Sequence, residues 1–376
     1  MEIYWLVSPL TPIDWVIILL TIPLLLLAGI ALFNCFWVRT PYGTPLSFPK
    51  ISVLIPLRNE EKNIDVLLPA LLSTEYPEIE FILLDDQSID STLQKIKNYS
   101  IHDSRIKIIT GKTLAEGWTG KNYACHQLAN QATGNYYLFM DADVIPSANA
   151  ISASISTLIS HKLDFLTVFP KQIMPTALEK EIIPWIDFFL YTFLPISFIT
   201  WFKSPFLAAA NGQWMFFKKE AYEKIGGHEK VKNTIVEDIA LARNINKSGL
   251  KMRLFTGGNL IQCRMYLDAS ALRAGFSKNV YAAAGYSSLN LIVFLSILFT
   301  LFVMPWIGIF FNLKWVIPLS IILLIKLSLG LKFKHPLLYT LFLHPISFIK
   351  ALEICLYSLQ VWKNKTVQWK GRNLNA

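Results

Sequence analysis

No two cysteines stand in a CxxC arrangement. Cys35, Cys125, Cys263 and Cys355 are scattered over 376 residues, a spacing that indicates neither a zinc site nor a disulfide framework. Reduced packing cysteines are the expectation. No lysine- and arginine-rich run interleaves with exposed aromatics, so the usual nucleic-acid groove is not indicated. Repeats, low-complexity tracts and a disordered linker are lacking too. Charge is sparse, at 16% of residues. The N-terminus lacks the basic leader, short apolar stretch and small-residue cleavage site of a signal peptide.

What the chain has is apolar length. Hydrophobic residues make up 53%, with a mean hydropathy of +0.42, against about 45–50% in soluble domains. The net charge is +9. With nucleic acid set aside, a basic balance fits an anionic membrane surface. Trp15 to Val38 is nearly all apolar, and about 20 such residues cross the hydrocarbon core. Glu2 and Asp14 precede it and Arg39 follows, an order that places the following domain in the cytosol. Leu289 to Phe311 reads as a second span. Trp315 to Leu331 reads as a third, with Lys326 near its inner end in a position to snorkel. His335 to Trp362 is broken by Pro336 and Pro345 and carries Lys350 and Glu353. A charged pair in mid-membrane is expensive, so this stretch is expected to be re-entrant or to lie flat. Its flanking Lys363, Lys365, Lys370 and Arg372 would then stay on the cytosolic side. Ile182 to Phe206, with Pro184, Asp187, Pro195 and Lys203, reads as an interfacial helix pair. The expected segments are an anchor at 1–40, a soluble domain at 48–280 with 182–206 inserted, membrane segments at 286–362 and a cytosolic tail at 363–376.

Between the membrane pieces, short buried strands alternate with helical stretches. Ile51–Ile55, ended by Pro56, leads to a helix over Asn63–Ser73, with Asn63 as N-cap. Glu80–Leu84 leads to a helix over Ser91–Tyr99. Ile106–Ile109 leads to a helix over Lys121–Thr133, followed by Tyr136–Met140. This order implies an α/β fold with a mostly parallel sheet, and such sheets bind ligands beyond their strands' carboxyl ends. Asp85-Asp86 and Asp141-Ala-Asp143 both fall there. A hard divalent cation binds one or two carboxylates together with substrate phosphates, and it neutralises charge growing on a departing diphosphate. Asp86 can accept from a base N–H or a ribose hydroxyl, or cap a helix. Lys121, in Gly117-Trp-Thr-Gly-Lys121, precedes a helix N-terminus, which favours anions, although P-loop spacing is absent. Val236-Glu237-Asp238 opens a helical stretch at Ile239–Ile245. Either acid can serve as a general base toward a hydroxyl, or simply as helix N-terminal charge.

In this order, Val53-Leu-Ile-Pro-Leu-Arg-Asn-Glu-Glu61, Ile82-Leu-Leu-Asp-Asp-Gln-Ser-Ile-Asp-Ser-Thr92, Gly120-Lys121-Asn122, Asp141-Ala-Asp143 and Glu237-Asp238 resemble family 2 glycosyltransferases with the GT-A fold. The resemblance covers roughly residues 48–280. Gly117-Trp-Thr-Gly-Lys-Asn122, Asn211-Gly-Gln213, Arg264-Met-Tyr266, Gly275-Phe-Ser-Lys278 and Trp369-Lys-Gly-Arg372 are similar to its membrane-bound, lipid-acting branch. That branch includes ceramide glucosyltransferase and hopanoid and carotenoid glycosyltransferases. The resemblance implies a GT-A, Rossmann-like domain with transmembrane helices at both ends. It implies a nucleotide-sugar donor, UDP-linked, and a Mg2+ or Mn2+ ion. Glu60 and Asp86 would hold the nucleoside, with Pro56 also on the donor side, and Lys121 the diphosphate. Asp143 would ligate the metal, with Asp141 beside it on the metal's water or the ribose. Asp238 would be the general base, and Gln213 and Trp214 would line the acceptor side. The family's Q-x-x-R-W element is degenerate here. Arg273-Ala-Gly-Phe-Ser-Lys278 stands in its place, with Phe276 where tryptophan is usual, which argues against a processive polysaccharide synthase. The expected activity is inverting transfer to the hydroxyl of a lipid in a multi-pass cell-membrane protein. A polyprenyl-phosphate glycosyltransferase and a non-catalytic membrane scaffold are the alternatives.

Overall fold

A computed structural model describes residues 10–202, 204–266, 268–369 and 372–373. Glu2, Lys203, Lys370 and the end of the tail, 374–376, lie outside them. In chain order the first half forms α1 (Pro12–Trp37), β1 (Ile51–Leu57), α2 (Glu61–Leu72), β2 (Ile79–Asp85), α3 (Thr92–Ser100), β3 (Ile106–Thr110), α4 (Gly120–Gln131), β4 (Tyr136–Met140), β5 (Val144–Pro146), α5 (Ala150–Ser160), β6 (Phe165–Phe169) and β7 (Lys171–Gln172). There follow α6 (Ala177–Ile182), α7 (Pro184–Phe193), α8 (Ser197–Phe202), β8 (Trp214–Lys218), α9 (Lys219–Lys224), α10 (Glu237–Lys247), β9 (Met252–Thr256) and β10 (Ile261–Cys263). The chain then closes through α11 (Ala269–Ala283), α12 (Ser288–Phe302), α13 (Met304–Gly308), α14 (Val316–Phe333) and α15 (His344–Lys363). It divides into two compact units.

The sheet unit holds Trp37–Met174, Ile196–Ala283 and the described part of Val361–Ala376. Its seven strands run in the order β3-β2-β1-β4-β8-β6-β9. Only β8 is antiparallel to its neighbours. The expected α/β sheet is therefore present, and three further strands, β8, β6 and β9, extend it past β4. Strands β1, β2 and β4 are nearly continuous apolar runs because both faces are covered. Ile51, Val53, Ile55, Phe81, Leu83, Leu138 and Phe216 sit in one buried core. A second sheet, β5-β10-β7, is small.

Two boundaries differ from the sequence reading for identifiable reasons. Pro56 does not end β1 but continues it, opposite Leu84 of β2. Ile51 N–H and Leu57 C=O bond the β2 side of β1, so by alternation Pro56 lacks its N–H on the β4 side. There the pairing has already ended at Leu54, and no ladder bond is lost. Helix α2 starts at Glu61, with Glu60 at its N-cap position. Asn63 is inside the helix and donates to Glu60 Oε2 at 2.7 Å.

The helical unit holds the described part of Met1–Phe36, Pro175–Pro195 and Ala284–Gln360. Among the described residues, two helices are long and apolar enough to cross a membrane, Pro12–Trp37 and Leu313–Phe333. The expected span Leu289–Phe311 is not continuous. Helix α12 stops at Phe302, and α13 begins at Met304-Pro305, because proline supplies no N–H to continue the ladder. Fifteen residues reach only about 22 Å, short of a core of about 30 Å. The expected 182–206 pair divides between units, with α7 in the helical unit and α8 in the sheet unit. Lys326 does not snorkel. It is buried, with Nζ 4.9 Å from the Trp185 ring and 4.6 Å from the Phe188 ring, a cation–π cradle. Lys350 pairs with Glu181. Within 335–362, a π-helical turn at Leu338–Phe342 precedes α15.

Candidate functional site

The carboxyl ends of β1 and β2 are stitched together. Asp86 N–H donates to Leu57 O at 2.7 Å. Arg58 Nη1 donates to Asp86 O at 2.5 Å and Gln87 O at 3.2 Å. Asn59 N–H donates to Ser88 Oγ, and Glu60 N–H to Thr92 Oγ1. Asn59 and Gln87 both take left-handed backbone, at φ 53° and 58°. Non-glycine residues in that region cluster where a loop is shaped for a ligand. Gly111, beyond β3, bonds Asp85 O, and a Cβ there would come within 3.1 Å of Asp86 Cα. Its missing side chain lets the chain pass close to the two aspartates. Asp90 caps α3, accepting from Thr92 N–H at 3.0 Å, so Asp86 is not needed as a cap. Asp86 is buried, whereas Glu60 and Pro56 are half-buried.

Three charged groups meet: Lys121, Asp141 and Glu237. Thr119 caps α4, which places Lys121 in its first turn. Lys121 Nζ lies 2.7 Å and 3.0 Å from the two Asp141 carboxylate oxygens and 3.1 Å from Glu237 Oε1. Burial lowers the affinity of Lys121 for its proton, but Asp141 and Glu237 outweigh it and hold the ammonium well above its ordinary range. Burial likewise works against ionised Glu237, yet Lys121 and Lys278 keep it below the usual carboxylate value. The lysine expected to grip phosphate thus sits between two carboxylates. Its charge is already paired with Asp141 and Glu237.

The link between these groups is Asn211-Gly212-Gln213, just before β8. Gly212 N–H donates to Asp238 Oδ2 at 3.0 Å. A Cβ on Gly212 would lie 3.0 Å from Lys121 Nζ and 3.2 Å from Glu237 Oε1. Gln213 Nε2 lies 3.4 Å from Asp143 Oδ2. The segment therefore touches Asp238 on one side and Asp143 on the other. Asp238, at the start of α10, is pushed up to about 6, first by burial and then by the Glu237 charge. That value suits a group that must take up a proton near neutral pH. Asp143 is pushed up to about 7 by burial and the charges of Asp141 and Glu60.

Asp143 Oδ1 is buried and meets no hydrogen-bond donor. A buried carboxylate oxygen without a donor, facing other acids, fits a cation. Among the described residues, no group of three or more His, Cys, Asp or Glu side chains converges on a metal position. Asp143 and Asp141 therefore fit an ion that takes one or two carboxylates and completes its shell with phosphate and water, as Mg2+ does.

Trp214 does not share this surface. Its ring is fully buried in the core of the sheet, with Nε1 unpartnered, so it lines no open acceptor face. The strand Trp214-Met-Phe-Phe-Lys218 has no apolar–polar alternation, so the facing of its ring is not readable from the sequence. Gln213, one residue earlier, faces the acidic cluster. Lys278, on α11, lies near enough to feel Glu237, Asp141 and Asp238. Sequence reasoning gave it no role. Its signal was position, one turn beyond Arg273-Ala-Gly, where the family element is degenerate.

Comparison with known proteins supplies the family. Residues 52–225 match the family described as Glycosyl transferase family 2. A curated relative from Staphylococcus haemolyticus, named 4,4'-diaponeurosporenoate glycosyltransferase, is 28% identical over 242 residues, 63% of this chain. The chain that carries this name in Staphylococcus aureus is 26% identical over 341 residues. Residues 52–225 are thus a family 2 glycosyltransferase region, just under half of the chain. The chain's alignment spans under two thirds, 62%, of the S. haemolyticus relative, and 87% of the S. aureus one. A solved mannosyltransferase from Pyrobaculum calidifontis, in complex with GDP-Man and Mn2+, shares this chain's fold at 16% identity and a TM-score of 0.54. That match covers 91% of this chain and 98% of that one.

Proposed function

We propose that this glycosyltransferase moves a sugar, with inversion, from a UDP-linked donor to the hydroxyl of a lipophilic acceptor. A carotenoid alcohol is the first candidate, because the relatives' name denotes a carotenoid substrate. The observation that carries the reading is the span of residues 211–213 between Asp238 and Asp143. In this reading the proton acceptor and the metal carboxylate are the two acids that this short segment contacts.

In this reading Glu60 and Asp86 hold the nucleoside, with Pro56 at the rim. Lys121 leaves Asp141 and Glu237 to take the diphosphate, and Gln213 stands on the acceptor side. Asp143, with Asp141 beside it, would hold a Mg2+ or Mn2+ ion, which would supply positive charge to neutralise the departing diphosphate. Asp238 takes the proton from the acceptor hydroxyl as its oxygen bonds to the anomeric carbon. The bond from that carbon to the diphosphate breaks on the opposite side, and the nucleoside diphosphate carries off the electron pair. Asp238 is suited to this because burial and Glu237 raise its proton affinity.

The apolar helices Pro12–Trp37 and Leu313–Phe333 support membrane attachment, and Arg39 after the first supports a cytosolic sheet unit. The domain reading remains an anchor, a catalytic sheet unit near 48–280 and C-terminal membrane segments.

A second reading is favoured by the relatives' name, which denotes a carboxylate substrate. A carboxylate acceptor arrives already deprotonated and yields a glycosyl ester. The test is calorimetry of UDP with Mn2+ on the native protein and Asp143→Asn, joined to mass spectrometry of the lipid product. Metal-dependent UDP binding, lost in Asp143→Asn, supports the proposal, whereas no UDP binding by the native protein contradicts it. Mild alkali decides the acceptor, because it cleaves a glycosyl ester and leaves a glycoside intact.

A further inference from the structure

Cys263 is a free, fully buried thiol, and its spacing in the sequence suggests nothing beyond packing. The small sheet gives it another setting. Cys263 pairs with Val144 of β5 on one side and Gln172 of β7 on the other. Arg264 N–H, next along β10, donates to Asp143 O at 3.1 Å. The turn that carries Asp143 is thereby tied to the residues flanking the thiol.

The side chains continue the link. The Gln213 amide nitrogen lies 2.9 Å from Cys263 Sγ as well as 3.4 Å from Asp143 Oδ2. The amide oxygen of Gln213 accepts from Gln172 Nε2 at 3.2 Å and Asn211 Nδ2 at 3.4 Å, which sets the direction of the amide. The Cys263 sulfur accepts from the Gln213 amide nitrogen, whose other hydrogen is left for Asp143 Oδ2. Asp143 Oδ1 meets no donor.

We propose that Cys263 is a positioning residue. It holds the Gln213 amide against one oxygen of Asp143, so that the other faces the divalent cation of a bound nucleotide diphosphate. This rests on the reading of Asp143 as a metal carboxylate given above. Partners that orient a metal ligand typically change metal affinity by about 10–100-fold when removed.

The test uses the full chain in detergent, titrating UDP at a series of Mn2+ concentrations, with the metal-free melting temperature measured alongside. Cys263→Val removes the sulfur acceptor at similar size, and Cys263→Ser keeps an acceptor. The valine variant is expected to need roughly tenfold more Mn2+ for half-maximal UDP binding. The serine variant should remain within about threefold of native, since its hydroxyl oxygen accepts from Gln213 in place of the sulfur. A valine variant with a lowered melting temperature and a native Mn2+ response overturns the proposal, because the thiol then only packs. Cys263→Ala, which adds no branch, must reproduce the valine shift if valine disturbs the fold. Asp143→Asn separates the two levels. If it keeps a native Mn2+ response, the metal reading fails and the positioning role with it. If it loses that response while Cys263→Val does not, only the positioning role fails.

Discussion

Replacing Gly212 by alanine places one methyl group at the junction of the site. An ideal Cβ would lie 3.0 Å from Lys121 Nζ, 3.2 Å from Glu237 Oε1 and 3.8 Å from Asp238 Cβ. The first two separations are a few tenths of an ångström below comfortable contact. Both atoms end flexible side chains, so they yield without breaking the fold. What yields is the Lys121–Glu237 pair, now at 3.1 Å, and with it the hold of Lys121 on Asp141. A displacement of about 1 Å in a site costs on the order of 10²-fold in rate. A few tenths should then cost roughly three- to tenfold in kcat/KM, or about 0.7–1.4 kcal/mol of transition-state stabilisation. Stability should change by less than about 1 kcal/mol. Transfer of labelled sugar from a UDP-linked donor into extracted lipid measures the rate, and intrinsic fluorescence on heating measures stability. Gly134→Ala is the contrasting control. Its Cβ would stand 2.7 Å from Ser52 N and 2.9 Å from Lys50 O, backbone atoms that cannot yield, so it should lose stability first. A Gly212→Ala enzyme with native kcat/KM would refute the argument that residues 211–213 bracket the reacting groups.

Other expectations follow from the same charges. Asp238 must be ionised to accept a proton, and it is pushed up to about 6. Its neighbours in this respect are Glu237 on its own helix, Lys121 on α4 and Lys278 on α11. A pH series of kcat/KM should fall about tenfold per unit below pH 6, whereas a limb near pH 4 would refute the raised value. Because the native state binds this proton more tightly than the unfolded chain, stability falls as pH rises from about 4 to 6. Melting curves of native and Asp238→Asn should diverge across that window. Glu80 has the opposite sign. It accepts from Ser52 Oγ at 2.5 Å, Thr133 N–H and Oγ1 at 2.8 Å each and Lys107 Nζ at 2.6 Å. Despite burial, these bonds lower it to about 2. Its stabilisation is present above about pH 4.5 and is lost as pH falls toward 2. Glu80→Ala should cost on the order of 3 kcal/mol in urea unfolding at pH 7, and a loss below about 0.5 kcal/mol would contradict the network.

The first half of the sheet was legible because β1, β2 and β4 are buried on both faces and therefore read as unbroken apolar runs. Their acids fall at the strand ends, where the topology must bring them together. The rest was hidden for physical reasons. Strand β8 inserts antiparallel between β4 and β6, a choice made by long-range pairing and not by local pattern. The break at Val303 in the expected span depends on Met304-Pro305, and proline inside an apolar run also occurs in unbroken helices, as Pro23 does in α1. Cys263 had no motif, since Asp143 is brought beside it by the β5–β10 pairing and Gln213 by the link before β8 of the large sheet. Lys121 was foreseen as an anion grip, but its pairing with Asp141 and Glu237 needed the distance between α4 and α10.

The central claim is that Asp238 activates the acceptor. The most direct measurement is single-turnover sugar transfer to a lipophilic alcohol by native and Asp238→Asn enzyme, with UDP affinity measured in parallel. Asparagine keeps one carbonyl oxygen for the Gly212 N–H but cannot accept a proton. The transfer rate is expected to drop about 10²- to 10⁴-fold, with UDP affinity within about threefold of native. Transfer at the native rate by Asp238→Asn would contradict it.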